Sequence, residues 1–162
     1  MNVLVSLARL HQALGRLLNF LQAPFLLATR CYVAWQFWKS GWLKVGAWDQ
    51  TLDLFRTEYH VPLLPPALAA YTGAFGELFF PALLIVGLFS RAGALGLFAV
   101  NALAVISYSH VLLSAGFEAA LGQHVLWGFM ALLLAIVGPG RFALDSVLER
   151  MVAARTATEP GL

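Results

Sequence analysis

The feature that most constrains this chain is a set of four long apolar stretches. Each is close to the ~20 residues a helix needs to cross a hydrocarbon core about 30 Å thick. They run over about 24–43, 67–89, 92–113 and 119–138. Pro24 suits a first-turn position in the first, Pro62-Leu63-Leu64-Pro65-Pro66 breaks the chain before the second, and Gly138-Pro139-Gly140 stops the fourth. Buried helices of a soluble domain are the alternative, but four runs of this length leave no polar face to meet water. Composition agrees: 60% of residues are hydrophobic and 11% charged, against roughly 25% charged in a soluble domain. The expected fold is therefore all-α, a four-transmembrane-helix bundle forming a single membrane domain over 1–162.

Two pieces outside the spans read as helices. In about 2–22, Val3, Leu7, Leu10, Leu14, Leu17 and Leu21 recur at three- and four-residue steps, with Arg9, Gln12, Arg16 and Asn19 elsewhere. That pattern suits an N-terminal amphipathic helix lying in the membrane interface, basic side toward anionic headgroups; a helix binding a soluble partner is the alternative. Between the first two spans, Asp49 is placed to cap a short helix over Gln50–Tyr59, whose Leu52, Phe55 and Tyr59 share one face. It reads as a lid over that end of the bundle. After the fourth span, about 141–162 reads as a tail, with Thr156–Leu162 a frayed terminus.

Charge in the short connections sets the orientation. Arg9, Arg16, Arg91, Arg141, Arg150 and Arg155 fall on one side, while Lys39, Lys44 and Arg56 fall on the other among several acids. The first side is expected to be cytoplasmic, with both termini there. No cleavage site follows an apolar core, so the N-terminus is expected to be retained. The net charge of +2, without a basic cluster, argues against a nucleic-acid partner. The lone Cys31 excludes an internal disulfide, a CxxC pair and a cysteine-rich metal site.

Ionisable residues inside apolar spans are costly, about 2.5–3.5 kcal/mol each at a helix centre, and are functional candidates by default. Arg30 and Glu77 lie near the middles of the first and second spans, and Asn101 near the middle of the third. Their expected arrangement is an Arg30–Glu77 ion pair with Asn101 completing the polar contacts. This is either a structural clasp that fixes helix register or a ligand site in which Glu77 titrates. Pro81 cannot donate to the carbonyl of residue 77, which predicts a kink beside it. A second group, His110, Gln123, His124 and Trp127, is expected at one depth nearer the other end. It reads as an interfacial belt, a quinone-headgroup or proton-relay site, or, with two histidines and no assured third ligand, a metal site on the weakest signal. The stripe Trp35, Trp38 and Trp42 reads as packing. GxGxxG, Walker, GxSxG and HExxH motifs are absent, so no complete catalytic constellation is present.

Several segments carry a family pattern. They are Phe37-Trp38-Lys39-Ser40-Gly41 with Lys44, Trp48-Asp49, Leu54-Phe55-Arg56, and Glu58-Tyr59-His60-Val61 running into the Pro62–Pro66 breaker. To these add the Glu77 helix ending in Gly87-Leu88-Phe89-Ser90-Arg91, then His124, Trp127, Gly138-Pro139-Gly140 and Asp145. Over roughly Arg30 to Leu148 the chain resembles the DoxX family of small four-helix membrane proteins. It departs from that pattern at Ser114-Ala115-Gly116-Phe117-Glu118-Ala119-Ala120, where relatives carry a Pro–Glu–Ala–Trp-like stretch before the histidine. The resemblance implies a bacterial cytoplasmic (inner) membrane protein, an accessory anchor or redox- or stress-linked partner subunit. A quinone-linked oxidoreductase subunit and a small proton-coupled transporter are the alternatives. No cofactor is firmly implied, quinone being the candidate. The expected partners are the lipid bilayer and another protein, with a homo-oligomer left open.

Overall fold

The computed structural model describes residues 2–158 and is all-α. Its helices are α1 (Asn2–Gly46), α2 (Trp48–Thr57), α3 (Pro66–Val86), α4 (Ser90–Ser107), α5 (Ser109–Leu112), α6 (Glu118–Val137) and α7 (Leu144–Thr158). Among the described residues, α1, α3, α4 and α6 are long and apolar enough to cross a membrane. They pack as a ring in which α3 lies between α1 and α4, and α6 closes the circuit against α4 and α1. Leu26, Val33, Ala34, Phe37, Leu84, Ala94, Leu97 and Leu134 fill its centre. The outward faces carry large apolar side chains such as Phe75, Phe129 and Ile136. Water would penalise that surface, whereas acyl chains satisfy it.

The antiparallel register of α1 against α3 is set by a close approach at Gly41. A Cβ there would fall 2.8 Å from the Leu78 side chain, so only glycine lets the backbones meet. At the other end Gly87 closes α3 in a left-handed conformation at φ 78°, its N–H and that of Leu88 both donating to the Leu83 carbonyl. A left-handed glycine just past a helix allows such bonds, which satisfy the Leu83 carbonyl at the helix end.

Four expectations need correction. The N-terminal segment is not a separate helix: α1 runs unbroken through Pro24 for 45 residues. A proline costs one internal hydrogen bond, and nothing else between Ala23 and Phe25 breaks the helix. The short helix begins at Trp48, with Ala47 at its N-cap position and no side-chain cap, so Asp49 sits in the first turn instead. The third span ends at Ser107, and Tyr108 separates it from α5. Finally, 144–158 is helical rather than a loose tail; of the expected frayed terminus, 159–162 lie outside the described residues.

Candidate functional site

Polar groups gather in three clusters in the bundle. The cluster near α7 is built on Arg30. Its side chain is 1% exposed, and its two terminal nitrogens donate to the carbonyls of Pro139 (3.0 Å), Ile85 (3.3 Å) and Phe142 (3.3 Å). Helix C-termini leave carbonyls without intrahelical donors and carry partial negative charge, so a guanidinium is suited to join the end of α3 to the loop after α6. Arg91 does the same for α6 through Ala135 and Ile136. Asp145 works in the opposite sense, accepting from the Phe89 and Ser90 amides at 2.8 Å, where α4 begins. Burial pushes the Asp145 carboxyl up, but these bonds and the Arg30 charge outweigh it and hold the group below the ordinary carboxylate range.

Arg30 therefore does not meet Glu77. The contact of Gly41 with Leu78 and the carbonyl carbon of Glu77 puts Glu77 level with the end of α1. Arg30 lies eleven residues earlier, about 16 Å away at the 1.5 Å helical rise. The register differs from expectation because α1 continues to Gly46 and the first turns of α3 extend beyond it, packing against Phe55 of α2. The cation that reaches Glu77 is Lys44, with its Nζ 2.6 and 2.8 Å from the two carboxylate oxygens and 2.8 Å from Ser40 Oγ. Both ends of this ion pair are nearly dry, at 14% and 9% exposure. The sequence reading treated Lys44 as a connection residue. Its position four after Ser40, on a helix facing Glu77, was the available signal.

Above the pair lies a cavity of about 220 Å³. Ala69, Thr72 and Gly73 of α3 form one wall and Val100, Leu103, Ala104 and Ser107 of α4 the other. Phe55 and the connection through Tyr59, Val61 and Leu64 roof it. The roof is ordered by stacking, with Tyr59 between Phe55 (4.8 Å) and Tyr108 (5.0 Å), and by the His60 amide donating to the Ser107 carbonyl at 2.9 Å. Burial, then the Glu77 charge and Tyr108, pushes the Tyr59 phenol up, so it stays a neutral donor. Ser107 Oγ is buried and makes no hydrogen bond. The walls include Thr72 and Leu103, both exposed on the outside of the bundle, so the cavity opens sideways between α3 and α4. The chamber is mostly apolar, with an ion pair at its floor and a route from the lipid side.

The third cluster joins α4 to α6. Asn101 Nδ2 donates to the His124 carbonyl (2.9 Å) and its Oδ1 lies 2.8 Å from His124 Nδ1. Trp127 packs edge-on against His124 (5.1 Å) and Phe37 (5.6 Å). Asn101 thus belongs with His124 rather than with Arg30 and Glu77. His110 is elsewhere, in α5, with its ring 4.9 Å from His60 and 5.5 Å from Tyr108, and Gln123 is exposed. The expected outer quartet divides because α4 ends before His110. Among the described residues, no group of three or more histidine, cysteine or acidic side chains is placed to hold a metal ion.

Comparison with known proteins adds one finding. The DoxX family model matches residues 25–110, whereas no curated protein and no solved structure is matched. The matched segment carries Lys44, Glu77, Asn101 and the whole lining of the cavity, and stops before His124 and Asp145. Because that segment is more than half of the sequence and holds three of the four helices able to cross a membrane, the chain belongs to the DoxX family and is a multi-pass membrane protein.

Proposed function

We propose that this protein is an accessory subunit of a bacterial inner membrane that holds the headgroup of a lipid-soluble quinone in the cavity between α3 and α4, in support of a redox- or stress-linked partner protein. One observation carries the reading: an apolar chamber of about 220 Å³, open toward lipid, is floored by the Lys44–Glu77 pair. Its size suits one or two aromatic rings, since engineered apolar cavities of about 150 Å³ already hold benzene. The floor offers both partners such a headgroup needs. Glu77 accepts a hydrogen bond from a quinol hydroxyl, and Lys44 donates to a quinone carbonyl, so either oxidation state is recognised. The unpaired Ser107 hydroxyl and the Tyr59 phenol line the upper part, where a second ring oxygen would meet them. The isoprenoid tail leaves past Thr72 and Leu103.

The basic-residue bias of the loops supports cytoplasmic termini, with α2 and the cavity roof then on the periplasmic side. Purification in mild detergent followed by lipid extraction and mass spectrometry tests the ligand. Quinone should be enriched over its ratio in bulk membrane lipid, and the enrichment should vanish in Glu77→Gln. A wild-type ratio equal to bulk, or an unchanged ratio in the variant, rejects the reading.

A further inference from the structure

Two histidines far apart in the sequence meet at the roof end of the bundle. His60 lies in the connection between α2 and α3, and His110 in the single turn of α5. Their ring centroids are 4.9 Å apart with the planes at 74°, and both residues are exposed. Contacts beneath them fix the approach. The His60 amide donates to the Ser107 carbonyl at 2.9 Å, and the preceding Tyr59 stacks on Tyr108 at 5.0 Å. The turn of α5 is closed by the Val111 and Leu112 amides, both donating to the Tyr108 carbonyl. Residues 59–60 therefore run beside 107–110 on an ordered base, and the two rings are close together before anything binds.

A neutral imidazole keeps one ring nitrogen as an acceptor for a hydrogen bond or a metal ion. His124 commits its Nδ1 to Asn101. The rings of His60 and His110 make ring contacts instead, with each other and, for His110, with Tyr108 at 5.5 Å. Their spacing fits a shared ion. A metal–nitrogen bond of about 2.0–2.1 Å puts each ring centroid about 3.2 Å from the metal. Two such rings lie about 4.5 Å apart when the bonds meet at a right angle and about 5.2 Å apart at the tetrahedral angle. The observed 4.9 Å falls between the two. Steeply crossed planes are compatible with this, because each ring can turn about its own metal–nitrogen bond. Imidazole suits copper, nickel and zinc, and among these divalent ions Cu(II) binds a given ligand set most tightly. Two side chains leave the set incomplete, and their exposure lets water fill the remaining positions.

We propose that His60 and His110 together bind a divalent transition-metal ion, Cu(II) most tightly, as the two protein ligands of a site completed by water. The bound ion clamps the connection after α2 to α5 beside the cavity roof. Neither histidine lines the cavity, so the inference stands without the quinone reading.

Electron paramagnetic resonance of the untagged full chain in lipid nanodiscs, loaded with one equivalent of Cu(II), tests it. The spectrum should show coupling to two imidazole nitrogens. His60→Ala and His110→Ala should each lose one nitrogen and weaken Cu(II) binding by at least the ~10-fold that loss of an outer-shell partner costs. His11→Ala, on α1, should change neither property. The His60 bond to Ser107 is made by the backbone, so His60→Ala should keep the wild-type circular dichroism. A second measurement uses the wild type alone: Cu(II) should protect His60 and His110 from diethyl pyrocarbonate, read by peptide mass spectrometry. Three results each leave a ring contact only and overturn the proposal. They are no stoichiometric Cu(II), a spectrum unchanged in either variant, and equal modification with and without the ion.

Discussion

Replacing Lys44 by methionine isolates the interaction on which the cavity floor depends. At 2.6 Å the Coulomb attraction is about 6 kcal/mol for an effective dielectric of about 20. Most of that is offset by the cost of drying two charges, so the pair's net contribution is small. Stranding one member is different. With 9% exposure, Glu77 cannot recover its hydration, and Lys44→Met should cost about 3–5 kcal/mol. Glu77→Gln should cost less, about 1–3 kcal/mol, because Lys44 keeps Ser40 as a partner. The double variant carries no buried charge at the floor, so it should be more stable than the sum of the singles implies by about 2 kcal/mol. Reversible unfolding in mixed micelles, followed by far-ultraviolet circular dichroism, gives all four values. Arg30→Met with Glu77→Gln serves as the control and should be additive within about 0.5 kcal/mol, as expected for sites beyond 10 Å. Additivity in the Lys44 cycle, or coupling in the Arg30 cycle, would refute the assignment of partners.

Two further outcomes follow from the other polar clusters. Asp145→Asn should destabilise the bundle by about 1 kcal/mol through the weakened start of α4. The Asp145 carboxyl lies below its unfolded value, so its contribution is complete above about pH 4 and drains away as pH falls through the lower folded value. The wild type should therefore lose more stability than Asp145→Asn in that acidic window, and parallel pH profiles would contradict the role. Asn101→Leu should cost about 1–3 kcal/mol by leaving the His124 ring nitrogen without its partner. Combining it with His124→Ala should recover part of that loss in the same unfolding assay.

Hydropathy made the spans legible, because a bilayer punishes polar residues over a fixed length and so marks its own boundaries. α3 and α6 differ from the sequence-based limits by only one to three residues at each end. Register was not legible. It depends on how far α1 runs past the bilayer and on Phe55 of α2 packing beside Gly73 of α3. Shifting α3 by those turns exchanges Arg30 for Lys44 as the partner of Glu77. The role of Arg30 was hidden for a related reason: its partners are backbone carbonyls, which every sequence supplies at every helix end. α7 was missed because it has no long apolar run to announce it. Asn101 and His124 were both identified as polar residues in apolar helices, but only the packing of α4 against α6 joins them.

Photoaffinity labelling with a short-chain azidoquinone, mapped by peptide mass spectrometry in reconstituted membranes, tests the central claim most directly. Labels should fall on the cavity walls and roof, within 55–64, 69–77 and 100–107, and be competed by unlabelled quinone. Labels concentrated around Arg30 and 139–145, or scattered over the lipid-facing surface without competition, would contradict it.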